Sequence, residues 1–375
     1  MLLMLAGLYL CLAASLYYFR LESSRLHLKL KPDAVMMTLI KPLRGLDDGL
    51  RENFEAIAAS DPRKRLQVII AMESEQDPAY AVARDFVSAH ADRDIEVFIT
   101  GPNRGRMGKI HNMIEALPRA KHPYVIFSDA DIATTPGLVR ETGLAFAQGY
   151  DAVFGLPYHL PTPGIGGLFL QIALNHSVSI SAALSQYLGG LKFCAGAWMA
   201  YTQEILKRVG GLEPFAHAIA DDLAISSEVA RAGARKYLLR EIVPVRETGR
   251  GIPEVLEHLA KWAAIIRWSL PPLYFALPLL NLGLMSALLW WLCERSGERL
   301  WLGRGGLAAA LVSRPLVGAV QDIFVGRRRM PWLHYTVMAF VDLGSFVFWL
   351  SGFRARISWR GIRYRLYTGG RAEVI

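Results

Sequence analysis

The sequence predicts an α/β domain built on a mostly parallel sheet, flanked by apolar segments of membrane character. Three observations predict it. Four short apolar runs rich in β-branched residues alternate with stretches of helical character, an acid-rich turn directly follows one of those runs, and uncharged runs stand at 1–19 and 270–293. Of 375 residues, 53% are hydrophobic and only 20% charged, and 42 Lys and Arg against 33 Asp and Glu leave a formal charge of +9. This composition excludes a disordered chain, a collagen-like repeat and a small disulfide scaffold. So much apolar content, with a mean hydropathy of +0.25, points to a chain partly in lipid.

Residues 1–19 carry no charge and are long enough to cross a bilayer. Basic residues (Arg20, Arg25, Lys29, Lys31) follow the run rather than precede it. That is the pattern of an uncleaved anchor over 1–20 with its C-terminal side in the cytoplasm. Tyr17, Tyr18 and Phe19 would lie at headgroup level.

Residues 33–268 read as alternating strand and helix. Strands are expected at 35–40 (VMMTLI), 66–72 (LQVIIAM), 95–99 (IEVFI) and 124–127 (YVIF). Asp77-Pro78 and Thr135-Pro136 open helices, with a capping side chain before a first-turn proline, and Gly210-Gly211 closes another. Continuous apolar strands between helices imply a parallel sheet covered on both faces. Such sheets bind ligands beyond the carboxyl ends of their strands.

A second lipid candidate is 270–293, with Trp290 and Trp291 as an interfacial belt. Two weaker segments follow within the expected membrane region 270–352: 307–325, interrupted by Arg314, Pro315 and Asp322, and 332–352, interrupted by Asp342. Four full crossings would leave the Arg-rich tail 353–375 outside, against the positive-inside tendency, so one of these two is expected to cross incompletely. Intramembrane Asp322 and Asp342 would then face protein or water. The basic flanks account for part of the net charge through attraction to anionic headgroups, and no nucleic-acid-binding module is present. Cys11, Cys194 and Cys293 form neither a disulfide framework nor a zinc spacing, which suits a reducing compartment.

The chemistry is expected at four places. Asp129 and Asp131, in Ser128-Asp129-Ala130-Asp131 directly after the strand YVIF, can grip a divalent cation that clamps a diphosphate; a helix cap or turn is the alternative. Asp221-Asp222 opens a helical segment, and Asp222 is either a general base or a charge complementing the helix dipole. Arg267-Trp268 offers a planar fork for phosphate and a flat face for a sugar or acceptor, or else an ordinary membrane-edge pair. Lys109 and Asn112 follow a glycine-rich turn (Gly101, Gly105, Gly108) where a helix start can meet a nucleotide phosphate, although the spacing is not that of a Walker A loop.

Together these pieces resemble the ceramide glucosyltransferases, the inverting glycosyltransferases of family 21 with a GT-A catalytic domain. The resemblance is carried by IKPLRG (40–45), Asp77, Asp129, GLPY (155–158), His176 in LNHS, KFCAG (192–196), Asp222, Arg267-Trp268 and the tail ISWRGIRYRL followed by GG (357–370). It covers essentially the whole chain. It implies a GT-A fold with a Rossmann-like mixed, mostly parallel sheet, an N-terminal transmembrane helix and C-terminal membrane helices. It implies UDP-glucose as donor, ceramide as acceptor and a metal–diphosphate site at Asp129, where Asp131 adds a second carboxylate for Mg²⁺ or Mn²⁺.

Lys41 and Asp77 would then serve the donor with Lys109, Asn112, Asp129, Asp131 and Arg267. Asp222 would be the catalytic base, with Asp129, Arg267 and Trp268 completing the catalytic set. His176 and Trp268 would contact the acceptor. Phe169 and Leu170, in the apolar stretch 164–190, would line a lateral entrance for it, against the plain alternative of a buried helix. The resemblance also implies a catalytic domain on the cytoplasmic face of a membrane, such as a bacterial inner membrane.

There are departures. Ala264 occupies the first position of the family's R/Q-x-x-R-W pattern, with Lys261 one turn earlier as a substitute. Asp131 adds a carboxylate, and Asp221 stands in place of Glu. Three other readings remain open: the same chemistry on a hopanoid polyol or diacylglycerol with UDP-GlcNAc as donor, a processive polysaccharide synthase, and a catalytically silent lipid-binding scaffold.

Overall fold

The computed structural model describes residues 35–47, 49–178, 196–246, 251–297, 299–324, 330–359 and 361–375. The expected 1–20 anchor lies outside them. The chain divides into two compact units, one containing 22–160 and 190–248, the other 161–189 and 249–375 together with 1–21.

The first unit is built on a seven-stranded sheet. Its early strands are β1 (Met37–Pro42), β2 (Leu66–Met72), β3 (Ile95–Ile99) and β4 (Tyr124–Ser128), followed by β5 (Ala152–Phe154), β6 (Pro157–His159), β7 (Trp198–Thr202), β8 (Lys236–Leu238) and β9 (Val243–Val245). The sheet order is β3-β2-β1-β4-β7-β5-β8, and β6 pairs with β9 separately. Strands β3, β2, β1 and β4 are mutually parallel, whereas β7 runs antiparallel to both β4 and β5. The sheet is therefore mixed, mostly parallel, as the resemblance implies rather than as strand–helix alternation alone suggests. Every residue of β1 and β2 is buried, which is why both read as unbroken apolar runs.

The helices start where their caps predict. Thr135 Oγ1 accepts the Leu138 N–H at 3.2 Å, with Pro136 in the first turn of helix Pro136–Ala147. Gly210 and Gly211, at φ +86° and +79°, end the segment after helix Gln203–Arg208 in the left-handed region that glycine reaches without penalty. Phe54 and Phe86 stack at 5.1 Å and fasten helices Leu50–Ser60 and Ala79–Ala89 to each other.

The chain leaves β1 toward β2 and β3, then crosses back to lay β4 on the other side of β1. This is the reversal beyond which open α/β sheets bind ligands. It places the ends of β1 and β4, hence Lys41 and Ser128-Asp129, side by side.

The second unit is mostly helical. Its helices include Gly164–Ala173 with a π-turn over Leu174–Val178, Ile252–Ser269, Leu282–Ser296, Leu300–Phe324, Trp332–Thr336 and Met338–Ser351. The run 270–293, expected as one span, is not one helix. Pro271, Pro272 and Pro278 divide it into helix Pro271–Ala276, a 3₁₀ turn over Leu277–Leu280 and helix Leu282–Ser296, whose cap Asn281 accepts the Leu284 N–H at 2.9 Å. Segments 307–325 and 332–352 are likewise not separate single spans: one is the latter part of Leu300–Phe324, the other is split into two helices. Among the described residues no helix is long and apolar enough to cross a membrane.

The basic tail is not a simple tail. It forms an antiparallel meander of β10 (Arg356–Trp359), β11 (Ile362–Leu366) and β12 (Ala372–Val374). Ile357, Tyr364 and Leu366 are buried while Arg356, Arg363 and Arg365 are exposed, the period-two alternation of a half-covered strand. Gly361 turns the hairpin at φ +78°.

Candidate active site

The turn after β4 is held from three sides. Lys41 Nζ, fully buried at the end of β1, donates to the Asp129 carbonyl at 2.7 Å and lies 3.4 Å from that of Ile132. Asn53 Nδ2 donates to the Ala130 carbonyl at 3.1 Å, and the Arg246 N–H to that of Asp131 at 2.8 Å. Burial pulls the Lys41 pKa down to about 8, with Asp131, Asp129 and Asp47 partly opposing it. Lys41 was expected at the donor; its ammonium is instead spent on backbone carbonyls, because a strand-end lysine this deep must find acceptors inside.

Asn112 is corrected in the same way. It is 1% exposed, donates to the Leu43 and Ala71 carbonyls at 3.0 and 3.3 Å, and accepts from Thr100 Oγ1 at 2.7 Å. It ties the ends of three strands together. Asp77 accepts the Gly45 N–H on both oxygens, at 3.0 and 2.9 Å, and the Ala79 N–H on Oδ1 at 2.9 Å. It therefore caps a helix and clamps the turn that carries Arg44 and Gly45.

Lys109, at the start of helix Gly108–Ala116, reaches the centre of the acid group. Its Nζ lies 2.8 Å from Asp129 Oδ1 and 3.2 Å from Asp221 Oδ2. The approach of the two loops is fastened nearby: Arg106 bridges Glu115 at 2.7 Å and Glu213 at 2.9 Å, and the Met107 N–H donates to the Ala216 carbonyl. Burial works to lower the Lys109 pKa, but Asp129, Asp221 and Asp222 together outweigh it, and the ammonium is held charged well above its ordinary range.

Asp222 lies in the first turn of helix Asp221–Arg231 and is 8% exposed. Its Oδ1 accepts the Leu223 N–H at 2.8 Å. Burial, then the charge of Asp221, raise its pKa to about 7 against the pull of Lys109. Asp221 is also raised, by burial first. Gly196 passes so close that a Cβ there would meet Lys109 Nζ at 3.1 Å and Asp222 Oδ2 at 3.3 Å. The antiparallel register of β7, which pairs Trp198 with Ser128, brings Gly196 to this point.

The structure thus brings Asp129, Asp221, Asp222 and Lys109 into one cluster, although Asp129 and Asp222 stand 93 positions apart in the numbering. Asp221 was seen in the sequence only as a neighbour of Asp222; its contact with Lys109 makes it a full member. The donors fit a divalent cation. Asp131, Asp129 and Asp47 act on Lys41 and Asp129, Asp221 and Asp222 on Lys109, so five carboxyl groups meet two ammonium groups, with Asp221 and Asp222 pushed toward their neutral forms. Among the described residues Asp129 and Asp131 belong to no group of three His, Cys, Asp or Glu ligand atoms, and Asp129 Oδ1 is paired with Lys109 Nζ at 2.8 Å.

The remaining expected residues belong to the second unit. The Arg267 guanidinium lies between the rings of Trp268 and Phe353, 4.8 and 4.7 Å from their centroids, and Trp268 Nε1 donates to the Arg354 carbonyl at 2.9 Å. Arg267, Trp268, Pro271, Phe275 and Thr368 line a cavity of about 140 Å³. Ala264 is fully buried, and Lys261, its expected substitute, lies over the Trp359 ring at 4.8 Å. Leu170 is buried with Val255 and Leu259, and Phe169 packs edge-on to Phe348 at 5.5 Å. Leu170 accordingly forms core rather than an entrance wall. His176 is 6% exposed, with both ring nitrogens engaged by Gln321 and His334. It is a buried residue, not a side chain presented to an acceptor.

Comparison with known proteins bears on the family. The family description glycosyl transferase family 21 matches residues 7–372. Ceramide glucosyltransferase 1 of Caenorhabditis elegans is 23% identical over 367 residues, covering 92% of this chain and 75% of that protein. Ceramide glucosyltransferase 3 of the same organism is 25% identical over 263 residues, 68% of this chain and 56% of that one. Among solved structures, the mannosyltransferase PcManGT from Pyrobaculum calidifontis, in complex with GDP-Man and Mn²⁺, aligns over 93% of this chain and 98% of its own with 20% identity and a TM-score of 0.47. With the family description matched over nearly its full length, the chain belongs to glycosyl transferase family 21 and is a sugar-transferring enzyme.

Proposed function

We propose that the enzyme transfers glucose from UDP-glucose to the primary hydroxyl of ceramide, with inversion, giving a β-glucoside, on a GT-A catalytic domain. The observation that carries this reading is Asp222: a buried carboxyl with a pKa raised to about 7, one side chain removed from the Lys109–Asp129 pair at the switch point of the sheet. A base poised near neutrality accepts a hydroxyl proton and releases it again, and such assistance contributes about 10²–10⁴-fold. The relatives named ceramide glucosyltransferase support the choice of substrates.

In this reading Asp222 takes the proton as the acceptor oxygen attacks the anomeric carbon from the face opposite the nucleotide. The partly buried ammonium of Lys109 holds Asp129 and Asp221 in place and lowers the cost of bringing a diphosphate among carboxylates. Lys41 and Asn53 fix the backbone of the Asp129–Asp131 turn, so those carboxylates need not reorganise during the reaction. A divalent cation, when bound, would be held by Asp129 and Asp131 and would offset charge on the departing diphosphate.

Large apolar side chains exposed on the second unit, among them Trp301, Trp332, Phe340 and Leu316, support a seat at a bilayer, and we place the catalytic domain on its cytoplasmic face. Ceramide leaves lipid only at about 0.8 kcal/mol per exposed CH₂, so the enzyme must work where the acceptor is.

The test is a panel of UDP-glucose, UDP-GlcNAc and GDP-mannose against ceramide, diacylglycerol and a hopanoid polyol, in detergent with Mg²⁺ or Mn²⁺, read by mass spectrometry. Glucosylceramide as the main product supports the proposal. Transfer only to another lipid, or only from another donor, overturns the substrate assignment while leaving the family intact.

A further inference from the structure

Outside the acid cluster, the second unit buries another group of titratable side chains. His176, from the π-turn Leu174–Val178, faces Asp322 near the end of helix Leu300–Phe324 and His334 in helix Trp332–Thr336. Asp322 and His334 are 0% and 1% exposed. The Nε2 atoms of the two histidines are 3.1 Å apart, His176 Nε2 is 3.4 Å from Asp322 Oδ1, and His334 Nε2 is 3.7 Å from Asp322 Oδ2. These donor atoms all lie within 4.8 Å of one another.

The separations carry the argument. A proton shared between an imidazolium and a carboxylate draws N and O to about 2.7–2.9 Å; both His–Asp distances here are longer. In a tetrahedral site with bonds of about 2.0–2.1 Å, neighbouring ligand atoms lie about 3.3 Å apart. The 3.1 Å between the two Nε2 atoms and the 3.4 Å from His176 Nε2 to Asp322 Oδ1 lie close to that edge length, while His334 Nε2 meets the other carboxylate oxygen at 3.7 Å.

The neighbouring contacts agree. His176 Nδ1 lies 2.7 Å from Gln321 Oε1, so Nδ1 carries the hydrogen and the Nε2 lone pair points into the group. A ligand imidazole that donates its other N–H to a fixed oxygen is the usual support of a metal-bound histidine. On the same helix Arg314 is bidentate to Asp342 at 2.7 and 3.0 Å, and Gly318 passes tightly against Met338. The helix face that presents Asp322 is thereby anchored.

We propose that His176 Nε2, His334 Nε2 and the Asp322 carboxylate bind one divalent transition-metal ion of the zinc type, clipping together the segments 164–178, 300–324 and 332–336. Two imidazoles and one carboxylate form the donor set that zinc and its first-row neighbours accept, whereas Mg²⁺ and Ca²⁺ take oxygen ligands. Burial of all three side chains gives the ion a structural task. It is separate from any ion at Asp129 and Asp131, which would meet only oxygen donors.

The test uses the full-length protein, purified without a polyhistidine tag or chelator, and total-metal analysis. Wild type and Asp129→Asn are expected to carry about one zinc or other transition-metal ion per chain, and His176→Gln and Asp322→Asn to lose it. Because the latter variants can misfold, Co²⁺ loading of metal-stripped wild type is read as well, with visible d–d absorption expected. Absence of a stoichiometric transition metal together with no Co²⁺ spectrum in wild type overturns the proposal. So does an ion lost in Asp129→Asn and kept in Asp322→Asn.

Discussion

Replacing Asp222 by Asn is expected to remove turnover and stabilise the protein, the second effect growing with pH. The Asp222 carboxyl moves from 3.8 in the open chain to about 7 in the fold, through burial first and the charge of Asp221 second. At 1.36 kcal/mol per tenfold change, that displacement corresponds to roughly 4 kcal/mol by which ionised Asp222 weakens the folded state above neutral pH. The sign follows from the direction. A folded pKa above the unfolded one binds protons preferentially in the fold, so the stability linked to it is full below pH 3.8 and is lost as pH rises through about 7.

Asn resembles the protonated acid in shape and still accepts the Leu223 N–H. Asp221 and Lys109 readjust when the charge goes, so about 1–3 kcal/mol of the difference is expected to be realised at pH 8.5, falling toward zero near pH 4. Unfolding of wild type and Asp222→Asn, followed at intervals from pH 5 to 8.5, measures it. A difference independent of pH, or an Asn variant less stable than wild type at pH 8.5, refutes the reasoning.

Three further outcomes are expected. Lys109→Met leaves buried Asp221 and Asp222 and partly exposed Asp129 without their shared ammonium; it is expected to cost about 1–3 kcal/mol by denaturant titration, and any residual activity should need higher pH. Gly196→Ala sets a methyl group 3.1 Å from Lys109 Nζ and 3.3 Å from Asp222 Oδ2, so kcat should fall at least tenfold with a Tm close to wild type; unchanged kcat would remove Gly196 from the site. Asp77→Ala frees the Gly45 and Ala79 N–H groups and is expected to cost about 1–2 kcal/mol, as for a lost helix cap, measured by denaturant unfolding.

The parts of the fold legible in the sequence were those set by local chemistry. Strands β1 to β4 coincide with the apolar runs because a strand buried on both faces admits few polar residues, and Thr135-Pro136 and Gly210-Gly211 act through backbone rules that need no tertiary context. Asp129 was legible because a strand end in such a sheet opens toward the ligand side. What escaped was set by long-range pairing. The antiparallel turn of β7 brings Gly196 to the acids, yet nothing local to WMAYT states its direction.

Lys41 and Asn112 have polar ends suited to a nucleotide, and only the fold reveals that backbone carbonyls consume them. Asp322 lay in a segment expected as an interrupted membrane span and was expected to face protein or water, whereas His334 drew no notice; eight residues separate Arg314 from Asp322, about two helical turns, which was the available signal for a shared buried face. The ISWRGIRYRL hairpin could have been found from its alternation around Gly361, but its arginines drew the reading toward charge.

The most direct test of the central claim, that Asp222 is the base in a cluster organised by Lys109 and Asp129, is the pH dependence of kcat for wild type and Asp222→Asn, with the product anomer assigned by NMR. The account predicts a wild-type rate rising with pH through a midpoint of about 7, a β-linked product, and an Asn variant slowed at least 10²-fold. A rate flat between pH 5.5 and 8.5, an α-linked product, or an Asn variant of near wild-type speed would contradict it.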